Sequence, residues 1–481
     1  MITFFLSVVA LVAGYFIYSR VAERIFGVDA NRPTPAVAQA DGVDYVAMPV
    51  WKIFLIQFLN IAGLGPIFGA IAGAMWGPVA FLWIVLGAIF AGAVHDYFSG
   101  MLSLRHGGKS ITEISGHYLG NGAKQFMRAF TVVLLIMVGA VFIMGPARII
   151  DDMTGNTAGL TTWVAIVFIY YIASTILPID KLIGRIYPAF GFALLFMAVG
   201  ISIMMLTGRF AIPELTWANL SNQHVDSDKF PIFPMVFITI ACGAISGFHA
   251  TQSPLMARCM TNEKQGRVIF YGAMVTEGVV ALVWAAIGMS FYGGVGALNQ
   301  TMAANQGNAA VVVNEICNSL LGTAGGVLAL LGVVAAPITS GDTAFRSARI
   351  IVADFVKLNQ GPLKNRLIIS VPLFLIGFIL TRIDFGIVWR YFAWTNQTLA
   401  AIVLWTITAY LIRERKPYWI ALIPSAFMTA VVVSYLLLAP EGFQLSTGIS
   451  YTVGIMMSVV LVALSMVTVY RVRLQDRALV Q

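Results

Sequence analysis

The stretch Cys242-Gly-Ala-Ile-Ser-Gly-Phe-His-Ala-Thr-Gln-Ser-Pro-Leu-Met-Ala-Arg-Cys259 begins and ends as apolar helix but cannot remain helical in its middle. Gly243, Gly247 and Pro254 weaken or break the helix. A membrane tolerates freed backbone and polar side chains only inside protein or beside a water-filled cavity. Because interrupted helices mark the binding sites of membrane carriers, the stretch predicts a substrate pathway. The polar candidates in it are Ser246, His249, Thr251, Gln252 and Ser253, beside the small residue Gly247.

The rest of the chain is equally apolar. It has 481 residues, of which 59% are hydrophobic and 10% charged, whereas soluble domains carry about 25% charged residues. Apolar runs of roughly 20 residues are long enough to span a bilayer, and we predict an all-α integral membrane protein with about thirteen transmembrane helices. These lie near 3–19, 53–75, 78–101, 125–147, 162–178, 187–207, 233–256, 268–291, 325–345, 367–382, 385–411, 418–438 and 450–470.

The net charge of +8 reports orientation rather than a nucleic-acid partner. With the N-terminus outside and the spans alternating, nearly all of the 29 Lys and Arg residues fall on the cytoplasmic side. This positive-inside pattern predicts a multi-pass protein of the cell inner membrane with a cytoplasmic C-terminus and contacts to anionic membrane lipids. The exceptions, on the outer side, are Arg148, Arg209, Lys229, Arg382 and Arg390.

Two blocks of five spans resemble each other. The first opens on a span that is interrupted at 60–66, and the second opens on the interrupted stretch described above. An odd number of spans per block predicts an inverted 5+5 repeat whose broken helices meet at the bilayer midplane. One N-terminal and two C-terminal helices are extra. The predicted units are an N-terminal helix and cytoplasmic linker (1–50), a first repeat (51–207), an extracellular linker (208–232), a second repeat (233–411), and two C-terminal helices with a short cytoplasmic tail (412–481).

The first interruption supplies a second part of the pathway. Asn60, Gly63, Gly65 and Pro66 fall where freed carbonyls can meet a cation or an ammonium group, and where freed N–H groups at a half-helix N-terminus can hold a carboxylate. A proline kink with close glycine packing is the alternative reading.

Three candidates for proton or ion coupling are ionisable residues in the third and eighth predicted spans. His95 and Asp96 are adjacent, and Asp96 can instead anchor its helix near Arg105. Glu277 stands alone in an uncharged span, where a carboxylate is costly unless it is paired, protonated or wet. We interpret it as a candidate proton carrier, with a structural pair to an arginine or histidine as the alternative.

A later span carries the densest polar run of the chain. Its hydroxyl and carboxylate oxygens suit an ion or proton site. The four-residue spacing of Asp342 and Arg346 allows a pair on one helix face, which would act as a gate or fix packing. The candidate coupling residues of this run are Thr339, Ser340, Asp342 and Thr343.

The sequence indicates neither a metal site nor an enzyme. His249 lacks zinc-motif spacing, and Cys242, Cys259 and Cys317 are too few for a disulfide framework; we interpret the first two as buried, inert thiols. Walker A, GxSxG and HExxH motifs are missing, so no ATP motor, hydrolase or cofactor is indicated. Asn396 and Gln397 are further candidates for hydrogen bonding to a peptide-like substrate.

Five motifs together resemble the carbon starvation protein A family. They are Asn60-Ile-Ala-Gly-Leu-Gly-Pro66, His95-Asp-Tyr97, Gly247-Phe-His-Ala-Thr-Gln-Ser-Pro-Leu-Met-Ala-Arg258, Pro337-Ile-Thr-Ser-Gly-Asp-Thr-Ala-Phe-Arg346 and Trp389-Arg-Tyr-Phe392. The resemblance implies a bacterial inner-membrane carrier that takes up peptides, or pyruvate with protons in some relatives. It also implies the inverted repeat of the amino acid–polyamine–organocation carriers, in which the helix that contains 339–343 gives hydroxyls to a cation site.

The sequence therefore predicts a secondary active transporter that imports small peptides by alternating access, coupled to protons or Na⁺. A pyruvate/proton symporter is the alternative within the family. A membrane-bound ligand sensor or a channel is the alternative from another class.

Overall fold

The computed structural model describes residues 1–41, 45–155, 157–176, 179–207, 210–360 and 362–480, without side chains at 174–188, 323–324, 328–330 and 473–480. Arg209 thus lies outside the described residues. The regular secondary structure of the described residues is entirely helical. Its helices are α1 (Ile2–Phe26), α2 (Pro35–Ala38), α3 (Val50–Ile61), α4 (Ala70–Gly73), α5 (Val79–Gly87), α6 (Ala93–Arg105), α7 (Ile111–Leu119), α8 (Asn121–Met153), α9 (Leu160–Ile176), α10 (Ile179–Leu206), α11 (Ile232–Thr239), α12 (Gly247–Ala257), α13 (Ala273–Phe291), α14 (Val295–Ala304), α15 (Ala309–Val356), α16 (Leu363–Leu380), α17 (Phe385–Arg413), α18 (Trp419–Leu438) and α19 (Thr447–Val480).

The all-helical membrane fold is confirmed. Among the described residues, 10 helices are long and apolar enough to cross a membrane, and the bent pair Val50–Ile61 and Gly65–Trp76 raises the number to 11. The two remaining predicted spans coincide with α9, whose apolar part is shorter, and with α11 and α12, which are short halves on either side of a break. The number thirteen and the inverted repeat stay predictions.

Burial separates a central group of helices from a lipid-facing rim. Within the most apolar 18-residue window of Glu263–Phe291, which contains α13, 83% of the residues are buried, whereas the corresponding window of Thr447–Val472 in α19 has 11% buried. The central segment packs against α3, which in turn contacts α12. Since apolar side chains on α19 gain nothing from burial when they face lipid tails, its exposure fits a peripheral transmembrane helix.

Three π-helical turns interrupt the central helices. They span Gly65–Gly69, Ala88–Gly92 and Arg267–Gly272, and each contains glycine. A π turn inserts one residue into a helix and frequently occurs at functional sites. The sequence analysis located only the first of them, since proline marks that one alone.

Candidate functional site

Both predicted interruptions are present in the structure. α3 ends at Ile61, and the chain resumes as a π turn at Gly65, with Pro66 inside that turn. In the second case α11 ends at Thr239 and α12 begins at Gly247. Each break leaves backbone groups without partners in their own helix, as helix ends do.

The two breaks lie against each other. A Cβ atom on Gly65 would overlap the side chain of Cys242, and one on Gly69 would come within 2.9 Å of the carbonyl oxygen of Thr239. Gly63 is covered by the ring of Phe142. The glycines of the first break are therefore needed for close approach, and the segments touch without a gap at these positions.

Asn396 closes the second break from a neighbouring helix. Its Oδ1 accepts a hydrogen bond from the N–H of Phe248 at 2.7 Å and from the hydroxyl of Ser246 at 3.1 Å. The backbone of α17 fits against Gly247, where a Cβ would overlap the Asn396 carbonyl oxygen and the Ala400 nitrogen. An N–H at the start of α12 is thus satisfied by an amide side chain, so Asn396 holds the break in the form seen here.

Ser340 performs the matching task at the first break. Its Oγ lies 3.1 Å from the carbonyl oxygens of both Leu59 and Asn60, which belong to the last turn of α3. Ser340 Oγ also lies 3.0 Å from the carbonyl oxygen of Ala336 in its own helix, and the hydroxyls of Thr339 and Thr343 donate to carbonyls of that helix. A hydroxyl beside two carbonyl oxygens is a set of hard oxygen ligands suited to a small cation.

Four buried ionisable side chains connect α6, α12 and α13. Asp96 Oδ1 accepts from Nδ1 of His95 at 2.7 Å, and Asp96 Oδ2 accepts from Nδ1 of His249 at 2.8 Å. Nε2 of His249 lies 3.4 Å from Oε2 of Glu277, and all four side chains have 0% exposure. With Asp96 ionised, its oxygens only accept hydrogen bonds, and both imidazoles then carry a proton on Nδ1; a neutral imidazole in this tautomer has its lone pair on Nε2. Within the described chain, neither oxygen of Glu277 has a hydrogen-bond partner.

The other predicted residues lie outside this network of hydrogen bonds. They are buried, and their hydrogen bonds mostly fasten the backbone near the second break. Asp342 and Arg346 are buried as well, with 1% and 6% exposure, and their role as a gate pair stays a prediction. The fastening bonds run from Thr251 to the Phe248 carbonyl, from Gln252 to Thr251, from Ser253 to the His249 carbonyl and from Gln397 to the Phe237 carbonyl.

A cavity of about 330 Å³ opens beyond one end of the two broken helices. Thr239, the last residue of α11, lies on its wall, next to a ring of aromatic side chains that includes Trp76 and Trp389. Asp226 and Arg390 contribute charges of both signs. The sequence analysis missed this vestibule because its lining comes from five separate segments.

The opposite end carries an ion pair that the sequence alone does not reveal. Nε and Nη2 of Arg105 each donate to the carboxylate of Glu263 at 3.0 Å, and Nη2 also donates to the carbonyl oxygen of Gly27. Glu263 is 1% exposed, and the Arg105 guanidinium lies over the ring of Phe26. The pair ties α6 to the segment that follows α12, and α1 joins through its last turns.

Solved structures of membrane transporters share this fold. MhsT in complex with L-phenylalanine superposes with a TM-score of 0.57 over 88% of this chain and 99% of that one, at 14% identity. A mutant manganese transporter from Eremococcus coleocola superposes with a TM-score of 0.51 over 90% of this chain and 99% of that one, at 12% identity. The protein is thus a multi-pass, all-helical membrane protein with a transporter fold.

The chain belongs to the carbon starvation protein CstA family, whose model matches residues 1–158 and 153–387. An uncharacterized membrane protein of Haemophilus influenzae is 46% identical over 63% of this chain and 95% of its own length. The peptide transporter CstA of Bacillus subtilis is 26% identical over 85% of both chains. The pyruvate/proton symporter BtsT of Escherichia coli is 28% identical over 58% of this chain and 47% of its own length.

Proposed function

We propose that this protein is a secondary active transporter that imports small peptides across the bacterial inner membrane, coupled to protons. The observation that carries the proposal is the contact of two broken helices beside a buried Asp96–His249–Glu277 network. Buried charges inside a membrane protein are expensive and mark ion or proton pathways. No catalytic arrangement in the described chain competes with this interpretation.

Proton coupling rests on the contact between His249 and Glu277. A carboxylate with both oxygens unsatisfied is stable in a buried place mainly when it is protonated or close to a cation. His249 moves with α12, whereas Glu277 belongs to α13. A displacement of α12 would separate the two groups and change the proton affinity of Glu277, which is what a symporter requires.

Alternating access rests on the asymmetry between the two ends. The vestibule reaches Thr239, whereas the Arg105–Glu263 pair closes the other end. In an inverted 5+5 repeat with the N-terminus outside, the vestibule is extracellular and the pair is cytoplasmic. Transport then requires the vestibule to close and this pair to break in turn.

The substrate site lies between 60–66 and 243–254 in this proposal. A zwitterionic peptide needs acceptors for its ammonium group and donors for its carboxylate, and the backbone at two breaks offers both once the segments separate and the bonds to Asn396 and Ser340 are released. Charges of both signs in the vestibule, from Asp226 and Arg390, suit the same ligand. Pyruvate is the second candidate, because a pyruvate/proton symporter is among the relatives.

Uptake into proteoliposomes tests the proposal. We expect saturable accumulation of a di- or tripeptide above equilibrium under an inward proton gradient, and its loss with a protonophore. If accumulation is unchanged by the protonophore but requires Na⁺, the coupling ion is Na⁺, and the oxygen ligands around Ser340 become its proposed site. A channel would give uptake that neither saturates nor exceeds equilibrium, and a sensor would bind the peptide without flux. Concentrative uptake of pyruvate alone would select the second candidate.

A further inference from the structure

We propose that Cys242, His249 and Glu277 form a binding site for one borderline-soft divalent cation, with Zn²⁺ as the prototype. The thiol sulfur, an imidazole nitrogen and a carboxylate oxygen of these residues all lie within 4.8 Å of one another, and all three residues are buried. Sulfur, nitrogen and carboxylate oxygen are the three ligand types that Zn²⁺ binds in proteins. In a tetrahedral site such ligands lie roughly 3.5 Å apart, so small side-chain movements complete the geometry.

The orientation of His249 favours a metal ligand. With Nδ1–H donating to Asp96, Nε2 is the free ring nitrogen, and it lies 3.4 Å from Oε2 of Glu277. A carboxylate that fixes the tautomer of a ligating imidazole in this way is the usual arrangement behind zinc-binding histidines. Glu277 supplies a second, independent indication, because neither of its oxygens has a hydrogen-bond partner within the described chain.

Three protein ligands leave one tetrahedral position open. Zinc sites with three protein ligands keep that position for water or a substrate, whereas structural sites have four protein ligands. The Cys242 thiol donates to Oγ of Ser246 at 3.5 Å, and its sulfur accepts from Nδ2 of Asn396 at 3.7 Å, so both neighbours restrain its position. The linear spacing gives no metal motif, because Cys242 lies in a helix break, His249 lies in the helix after it, and Glu277 comes from another helix.

Cobalt spectroscopy tests the site, since Co²⁺ occupies zinc sites and a thiolate–Co²⁺ bond gives a near-ultraviolet charge-transfer band. Full-length purified protein is stripped with a chelator, kept reduced, and titrated with Co²⁺. We expect one Co²⁺ per chain with a thiolate band that Zn²⁺ abolishes by competition. Cys242→Ser should lose the band, and Glu277→Gln should weaken Co²⁺ binding at least tenfold. The matched controls Cys259→Ser and Cys317→Ser, which remove buried thiols outside the cluster, should keep it.

Thermal unfolding with Zn²⁺ guards against variants that merely misfold. Zn²⁺ should raise the midpoint for the wild type and for Cys259→Ser, but not for Cys242→Ser. A wild-type protein without the thiolate band, or a band that survives in Cys242→Ser, overturns the inference. The site shares residues with the proposed proton path, but its test needs no transport, so the two proposals fail separately.

Discussion

The carboxylate of Asp96 accepts a hydrogen bond from Nδ1 of His249 at 2.8 Å, although the two residues are 153 positions apart in the chain. Both side chains have 0% exposure, and His249 extends the contact to Glu277 on a third helix. The helix that follows the second break, α12, is therefore linked through His249 to two buried carboxylates. The account of coupling depends on this link, since a movement of α12 changes the surroundings of both acids at once.

The contact between Gly65 and Cys242 predicts that position 65 does not tolerate a larger side chain. Gly65→Ala should destabilise the protein by about 1–3 kcal/mol and impair uptake, because the new methyl group overlaps Cys242. Cys242→Gly in the same chain should recover most of the loss, which thermal unfolding of the single and double variants measures. The matched control is Gly122→Ala, where a Cβ meets nothing within 4 Å. Equal losses in the single and double variants would contradict the contact.

Removal of the Asn396 side chain, which caps α12, should make that helix locally less stable. Asn396→Ala leaves the Phe248 N–H and the Ser246 hydroxyl without their acceptor, at about 1–3 kcal/mol for a buried unsatisfied group. Hydrogen exchange should become faster in α12 while α19 is unchanged. Asn318→Ala, at an exposed position, is the control and should leave both helices as they are. If α12 exchanges at the wild-type rate in Asn396→Ala, the cap contributes nothing.

The pair of Arg105 and Glu263 predicts a closed end. Glu263→Gln weakens a buried, bidentate pair, so the open form of that end should gain population. A cysteine introduced at Met101, which is buried one turn deeper on α6, should then react faster with a thiol reagent, in a chain whose three native cysteines are replaced. Glu23→Gln, which concerns the more exposed pair with Arg267, is the control. Unchanged labelling would show that other contacts keep this end closed.

The sequence was informative where a residue contradicts its surroundings. Gly65, Pro66 and Gly247 stand in apolar helices that they must interrupt, and Glu277 is a single charge in a lipid-spanning segment. Each of these conflicts can be recognised in the sequence, because the residue type disagrees with the residues around it. Such a disagreement indicates a functional or packing reason for that residue. The breaks and the helical membrane fold were predicted on this basis.

The partners of those residues could not be predicted. That Asp96 reaches His249, and that Asn396 caps α12, depends on the rotation and depth of helices distant in sequence. Cys242 was interpreted as inert because a lone thiol in an apolar segment usually is, and only the folded chain brings it to His249 and Glu277. The Arg105–Glu263 pair was missed for a related reason: each charge lies near a predicted helix end, where an unpaired charge is ordinary.

The most direct measurement compares two transport modes of Glu277→Gln in proteoliposomes, with Glu315→Gln, an exposed carboxylate, as the control. Glutamine preserves shape but cannot carry a proton. The account predicts that Glu277→Gln loses uptake driven by a proton gradient at least tenfold, yet still exchanges labelled for unlabelled substrate across the membrane without a gradient. Driven accumulation at the wild-type level in Glu277→Gln would contradict the account.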